Sequence, residues 1–240
     1  VSVYRNSDSV TQDPQGIYLM VENYDNAWRQ RNGYDEGAFY KEGHDKRTRL
    51  DEDDSDITAL YDNLTNLSGQ ELKDYLYDNV DIPGVINYNA LMTLLRATDW
   101  SFSSNIFQYR DSDGTQRWTE LPWDLDSAFA LYYLDGSTWD FDYPTTTPSN
   151  RPVENALYQF PEFQAMFKRR VSELYMQVYG QGGSIYSWMD EAFTRNRMAI
   201  DQDLDIWRSS YVDMVEGIPG VVHVGDVYTG TIAGLFQALD

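Results

Sequence analysis

Trp118-Thr119-Glu120-Leu121-Pro122-Trp123-Asp124-Leu125-Asp126-Ser127-Ala128-Phe129 places two carboxylates, Asp124 and Asp126, two residues apart at the end of an apolar run. In an extended segment residues two apart face the same way, so both can reach one site. Carboxylates so placed suit a hard cation such as magnesium, which takes few protein oxygens and leaves positions open for phosphate. Immediately upstream, residues 105–110 and 117–124 read as two strands around Asp111-Ser112-Asp113-Gly114. Two calcium-type ligands stand there, but the EF-hand pattern wants Gly after a third acidic position and Asp113 is followed directly by Gly114, which favours an ordinary turn. An Asp-Gly hairpin turn accounts for the segment, placing Asn105 opposite Pro122 and near Asp124, with cross-strand neighbours about 5 Å apart.

Working outward, residues 91–98 carry Leu91, Leu94, Leu95 and Thr98 as one stripe of a helix that delivers Asp99. Before it, Ser68 and Glu71 form a capping-box pair ahead of Leu72, Tyr75 and Leu76, and Ile57, Leu60, Tyr61, Leu64 and Leu67 follow a charged linker at helical spacing. The N-terminal part is strand-like, with Val1, Val3 and then Ile17, Leu19 and Val21 alternating around a polar connection. Residues 24–31 read as a helix, Asn32-Gly33 as a turn, and residues 38–41 as a short strand. Downstream, residues 132–152 read as a loop, long enough to be a lid or to face substrate. Pro161 opens a helix with Phe163, Met166, Phe167, Val171, Leu174 and Val178 on its buried face and Gly180 at its end, and Ile185, Trp188, Met189, Ala192 and Phe193 begin another that runs toward Trp207. The expected division is a sheet-rich lobe over 1–50, a helical lobe with the hairpin over 51–215, and a tail over 216–240.

At 240 residues the chain can bury a real core. Its net charge of −21, from 39 acidic against 18 basic residues, argues against a nucleic-acid-binding surface, which needs a basic face. The same charge fits a protein that works with divalent cations or in salty, extracellular surroundings. Zero cysteines exclude disulfides and thiolate chemistry. No apolar run reaches the length of a membrane span. The chain begins at Val1 without Met, which leaves room for an upstream segment.

Taken singly, each candidate residue has a plain structural role: Asp99 caps a helix, Asn105 satisfies a turn, Asp124 and Asp126 are strand-end carboxylates, and Lys41 is an exposed strand-end lysine. Their order is what phosphoryl transfer requires, with one residue to orient a hydroxyl, an Asn and an Asp for metal, and a Lys for phosphate.

Two blocks carry a family resemblance. Gly16, Ile17, Tyr18, Leu19, Glu22 and Asp25, followed by Gly37, Phe39, Tyr40 and Lys41, resemble the first block of the CotH kinase family, the spore-coat-protein-type atypical kinases. Asp99, Asn105, Trp118, Pro122, Trp123, Asp124, Leu125, Asp126 and Phe129 resemble its second block, and Asp201, Asp203, Asp205 and Trp207 are similar to its C-terminal helical region. The resemblance implies an α+β, atypical protein-kinase-like two-lobed fold with a small sheet-rich N-terminal lobe and a mainly helical C-terminal lobe. It implies ATP with Mg2+ or Mn2+ as cofactors and a protein with Ser/Thr acceptors as partner, in a spore coat or at a cell surface. Asp99 would match the catalytic Asp, Asn105 a metal ligand, and Asp124 or Asp126 the metal-binding Asp. Lys41 would contact phosphates, and Glu22 would pair with Lys41 or sit near the nucleotide. Two other classes fit the composition: a non-catalytic adhesion module on a kinase-like scaffold, and a carbohydrate-processing site built from aromatic residues and carboxylates.

Overall fold

The structure is a computed structural model that describes residues 2–5, 13–17, 22–34, 36–41, 43–95, 97, 105–125, 151–180 and 183–215. At its centre lies the hairpin, β5 (Ile106–Arg110) against β6 (Trp118–Pro122). The strand expected over 38–41 is present as β3 (Ala38–Lys41), which pairs antiparallel with the other edge of β5, and β4 (Asp45–Lys46) completes a four-stranded sheet in the order β4-β3-β5-β6. This sheet crosses the expected lobe boundary at residue 50.

The register differs by one residue from that expected: Ile106 lies opposite Pro122, so Asn105 falls opposite Trp123. The connection explains the shift. Rather than a tight Asp-Gly turn, the chain makes a longer loop in which the Gln116 N–H donates to the Asp111 carbonyl at 2.8 Å and the Thr115 N–H to the Asp111 carboxylate at 2.5 Å. The left-handed residue of this loop is Gln116, at φ 60°.

Strand alternation gives the sheet two faces. On one, Ala38, Tyr40 and Trp118 pack with Ile57, Leu60 and Leu64 of α2 (Ser55–Asn66), Leu72 and Leu76 of α3 (Gly69–Asn79), and Val85 and Ile86 of α4 (Ile82–Leu94). Val153 and Leu157 of α5 (Pro152–Leu157) and Phe163 and Phe167 of α6 (Pro161–Val178) join the same core. On the other face Phe39, Phe107 and Tyr109 pack with Leu121, Trp123, Tyr34, Tyr24 and Trp28, the last from α1 (Asn26–Arg31). Asp25 starts α1 by accepting a hydrogen bond from the Trp28 N–H at 2.9 Å, the usual role of an N-cap carboxylate.

α4 is buried on nearly every side, through Ile82, Val85, Ile86, Tyr88, Asn89, Ala90 and Met92. Its orientation is set at its start, where Asp81 accepts from the Gly84 N–H at 3.2 Å and donates its own N–H to the Trp118 carbonyl at 2.8 Å. That anchoring turns Leu91 outward, 40% exposed, so the stripe expected through Leu91, Leu94 and Leu95 is not the buried one. The expected capping box is also absent: α3 begins after Ser68, but the Ser68 side chain makes no capping bond. α5 occupies residues 152–157 just past the expected loop, with Pro152 in its first turn.

By its internal packing the chain divides into two compact units. One holds the elements from α1 through Tyr175 of α6. The other holds a hairpin of β1 (Ser2–Arg5) and β2 (Asp13–Ile17), with α7 (Ile185–Val215) packed against β2. Trp188, one of the apolar residues expected to begin this helix, is exposed, and ion pairs such as Arg197–Asp201 at 3.2 Å run along the helix. The tail over 216–240 lies outside the described residues. Among the described residues no helix is long and apolar enough to cross a membrane.

The row Tyr40, Gln108 and Glu120 crosses the helix-facing side of the sheet as three polar residues, and each has a helix-side partner. The Tyr40 hydroxyl donates to Asp56, and the Tyr61 hydroxyl donates to Gln108 Oε1 at 2.6 Å. Burial pushes the Tyr61 phenol up to about 12. Glu120 meets the guanidinium of Arg151 at 3.1 Å, and Arg151 also pairs with Glu154. Burial alone would lower the Arg151 pKa, but the carboxylates of Glu154 and Glu120 overcome it and hold the side chain charged.

Breaking a buried ion pair from one side leaves uncompensated charge, at a typical cost of about 3–5 kcal/mol. Arg151→Met should therefore lower unfolding stability by about that much, read from chemical denaturation. The Glu120 carboxyl is held well above the usual carboxylate range, first by burial and then by the charge of Glu154. The folded chain thus holds this proton more tightly than the unfolded one, so the group's contribution is complete below the ordinary carboxylate pKa and is lost as pH rises through the folded value. Thermal melts of Glu120→Gln should lose less stability than wild type on going upward from about pH 4. Gly37 gives a separate test, because a Cβ there would lie 2.3 Å from the Arg110 carbonyl oxygen and from the Tyr109 ring. Gly37→Ala should cost about 1–3 kcal/mol by prising β3 from β5, visible as a lower denaturation midpoint.

Candidate functional site

Because β5 runs antiparallel to both β3 and β6, the end of β3, the start of β5 and the end of β6 lie at one end of the sheet. Those three chain ends carry Lys41, Asn105, and Trp123 with Asp124. Lys41 is opposite Phe107, which is opposite Leu121, so Lys41 shares the aromatic face of the sheet. Its ammonium lies over the Trp123 ring, 5.1 Å from the centroid. The Trp123 N–H donates to the Asn105 carbonyl at 3.3 Å, continuing the ladder one step past β6.

Asp124 has a left-handed backbone, φ 54°, and an exposed side chain. The residues on either side explain this. Trp123 is held on the aromatic face, its ring 5.2 Å from Phe107 and 5.8 Å from Tyr24. Leu125 packs instead with Tyr88, Met92, Ala97 and Ile106. The chain turns between these two anchorages at Asp124, a residue type that tolerates the left-handed region better than most. The Tyr24 hydroxyl donates to the Pro122 carbonyl at 2.9 Å and fixes the approach to the turn, and burial raises the pKa of that phenol.

The structure thus brings together three of the residues singled out from the sequence: Lys41, Asn105 and Asp124. Asn105 is buried and Lys41 is half-buried. Glu22 is exposed, and the ion pair it forms is with Arg31 at the end of α1. Asp99 and Asp126 lie outside the described residues. Among the described residues no group of three or more His, Asp or Glu side chains is arranged to hold a metal ion. Asn105 and Asp124 offer an amide oxygen and a carboxylate at adjoining strand ends, and this hard-oxygen donor set fits magnesium, which binds through one or two carboxylates plus substrate phosphates.

A family model described as CotH kinase protein matches residues 1–180. The chain belongs to the CotH kinase family. Its mixed α+β architecture is consistent with the kinase-like fold of the family, and membership points to a kinase-like function that uses a nucleotide and a divalent metal. A comparison with curated proteins returns no match.

Several residues of the family blocks now have separate structural roles: Asp25 caps α1, Gly37 permits close approach of β3 and β5, and Trp118 fills the core against Tyr40 at 5.8 Å. Sequence reasoning missed the contact of Lys41 with Trp123 and the buried group of Glu120, Arg151 and Glu154. One signal for the latter was present, since Glu120 occupies a strand position with the same parity as Trp118, an inward residue.

The conformation of Asp124 yields a test of its own. A β-branched side chain in the left-handed region costs about 1–2 kcal/mol, so Asp124→Val should destabilise by that amount, whereas Asp124→Gly should leave urea unfolding within about 0.5 kcal/mol of wild type.

Proposed function

We propose that this protein transfers the γ-phosphoryl group of ATP to Ser or Thr hydroxyls of a protein substrate at a cell surface or in a spore coat. The observation that carries the reading is the meeting of Lys41, Asn105 and Asp124 at one end of a single sheet, although they come from widely separated parts of the chain. Family membership supplies the reaction class.

In this reading Lys41 binds phosphate oxygens as a point charge, and Asn105 and Asp124, with Asp126, hold the divalent cation. The cation neutralises charge on the β- and γ-phosphates when bound. Asp99 accepts the proton of the attacking hydroxyl as its oxygen bonds to the γ-phosphorus. The bond from that phosphorus to the β,γ-bridging oxygen breaks, and ADP leaves. Asp99 and Asp126 enter from the family pattern, while the other three are also supported by their placement.

The test is incubation of the full chain with γ-labelled ATP, magnesium or manganese, and a Ser-rich acceptor peptide. Label should move to the acceptor, chelation of the metal should stop it, and Asp124→Ala should reduce it by about a hundredfold or more with the fold retained. Absence of both transfer and nucleotide binding would overturn the reading. Tight binding of a protein partner that survives Asp99→Ala and Asp124→Ala, without turnover, would replace it with an adhesion role.

A further inference from the structure

Resting on the reading of Lys41 as the phosphate contact, we propose that Trp123 is a positioning residue, its indole face holding the Lys41 ammonium at the corner where Asn105 and Asp124 meet. Trp123 touches all three members of the site in different ways. Its ring lies under the Lys41 ammonium at 5.1 Å, its N–H is hydrogen-bonded to Asn105 at 3.3 Å, and its own carbonyl forms the peptide bond to Asp124.

The ring is itself held in place. Phe107 meets it at an interplanar angle of 65° and Tyr24 at 73°, both edge-on arrangements of the kind aromatic pairs prefer. Tyr24 is in turn secured by its hydroxyl bond to the Pro122 carbonyl and by its ring contacts with Trp28 at 4.4 Å and Phe107 at 4.8 Å. A lysine side chain has many rotamers, and fixing its end costs entropy. A face-on aromatic ring restricts the ammonium to one region through its π face, a contact that is not itself a hydrogen bond. Trp is the strongest ring for this purpose, ahead of Tyr and Phe.

A contact of this kind is equivalent to about a threefold to thirtyfold change in affinity. The experiment is a double-mutant cycle on the full chain with Trp123→Leu, Lys41→Met and the pair, reading the Kd of a non-hydrolysable ATP analogue with magnesium by calorimetry. Trp123→Leu should weaken binding about threefold to thirtyfold when Lys41 is present and leave it unchanged in the Lys41→Met background. Thermal melts without nucleotide should show coupling between the two substitutions. Trp123→Phe keeps an aromatic ring in the packing and should give a smaller loss, again only with Lys41 present, so the cycle can be completed if the Leu variant does not fold. Equal losses in both backgrounds would make Trp123 a packing residue only and overturn the proposal while leaving the phosphate site intact. No nucleotide binding by the wild-type protein would overturn the site reading and this proposal together.

Discussion

The pairing of Arg151 with Glu120 and Glu154 is the constraint on which the rest of the structure depends. Glu120 lies in the middle of β6, and Arg151 and Glu154 lie at the start of α5, so this buried polar group joins sheet to helix at one point. The pairing must be satisfied in one register, because sliding β6 by a single residue would turn Glu120 to the aromatic face and leave Arg151 with Glu154 as its remaining partner in this group. Tyr40 with Asp56 and Tyr61 with Gln108 act in the same row, with neutral or half-buried partners. A row of polar contacts inside an apolar interface specifies which helix residue meets which strand residue, something that Leu and Ile packing alone leaves loosely determined.

Once β6 is fixed in register, the site follows from strand alternation. Glu120 faces the helices, so Leu121 and Trp123 face the aromatic side, where Lys41 of β3 also points. Trp123 and Leu125 are then drawn into different apolar clusters, and Asp124 between them takes the left-handed turn that presents its carboxylate to solvent. Glu120 within β6 is thus buried against the helices, while Asp124, just past the end of the strand, is exposed. The buried carboxyl of Glu120 orders the segment, and the exposed carboxylate of Asp124 is the one the proposed reaction assigns to a cation.

Much of this was legible in the sequence, for reasons that differ between elements. β3 and the hairpin were recognisable because short strands bounded by turn residues carry a local signal, and α2, α3 and α6 because their apolar spacing has a helical period. The register was missed by one residue because the loop is closed by the Asp111 side chain and a left-handed Gln116, a conformation that residue type does not announce. The buried face of α4 was misjudged because its rotation is set by the bond from Asp81 to Trp118, a contact between segments that are distant in the chain. α5 was hidden behind a Pro-rich stretch, and its partner Glu120 could be recognised as buried only once the sheet had an inside. In the site, the grouping of Asn105 with Asp124 was readable from the hairpin, whereas the approach of Lys41 depends on β3 pairing with β5, which no local pattern encodes.

The central claim is that Lys41, Asn105 and Asp124 form one phosphate and metal corner at the end of this sheet. A crystal structure of the full chain with magnesium and a non-hydrolysable ATP analogue tests it most directly. The account predicts phosphate density between Lys41 and Asp124 and a magnesium ion within bonding distance of the Asp124 carboxylate and the Asn105 amide oxygen, about 2.1 Å. Nucleotide bound elsewhere on the protein, with that corner filled only by solvent, would contradict it.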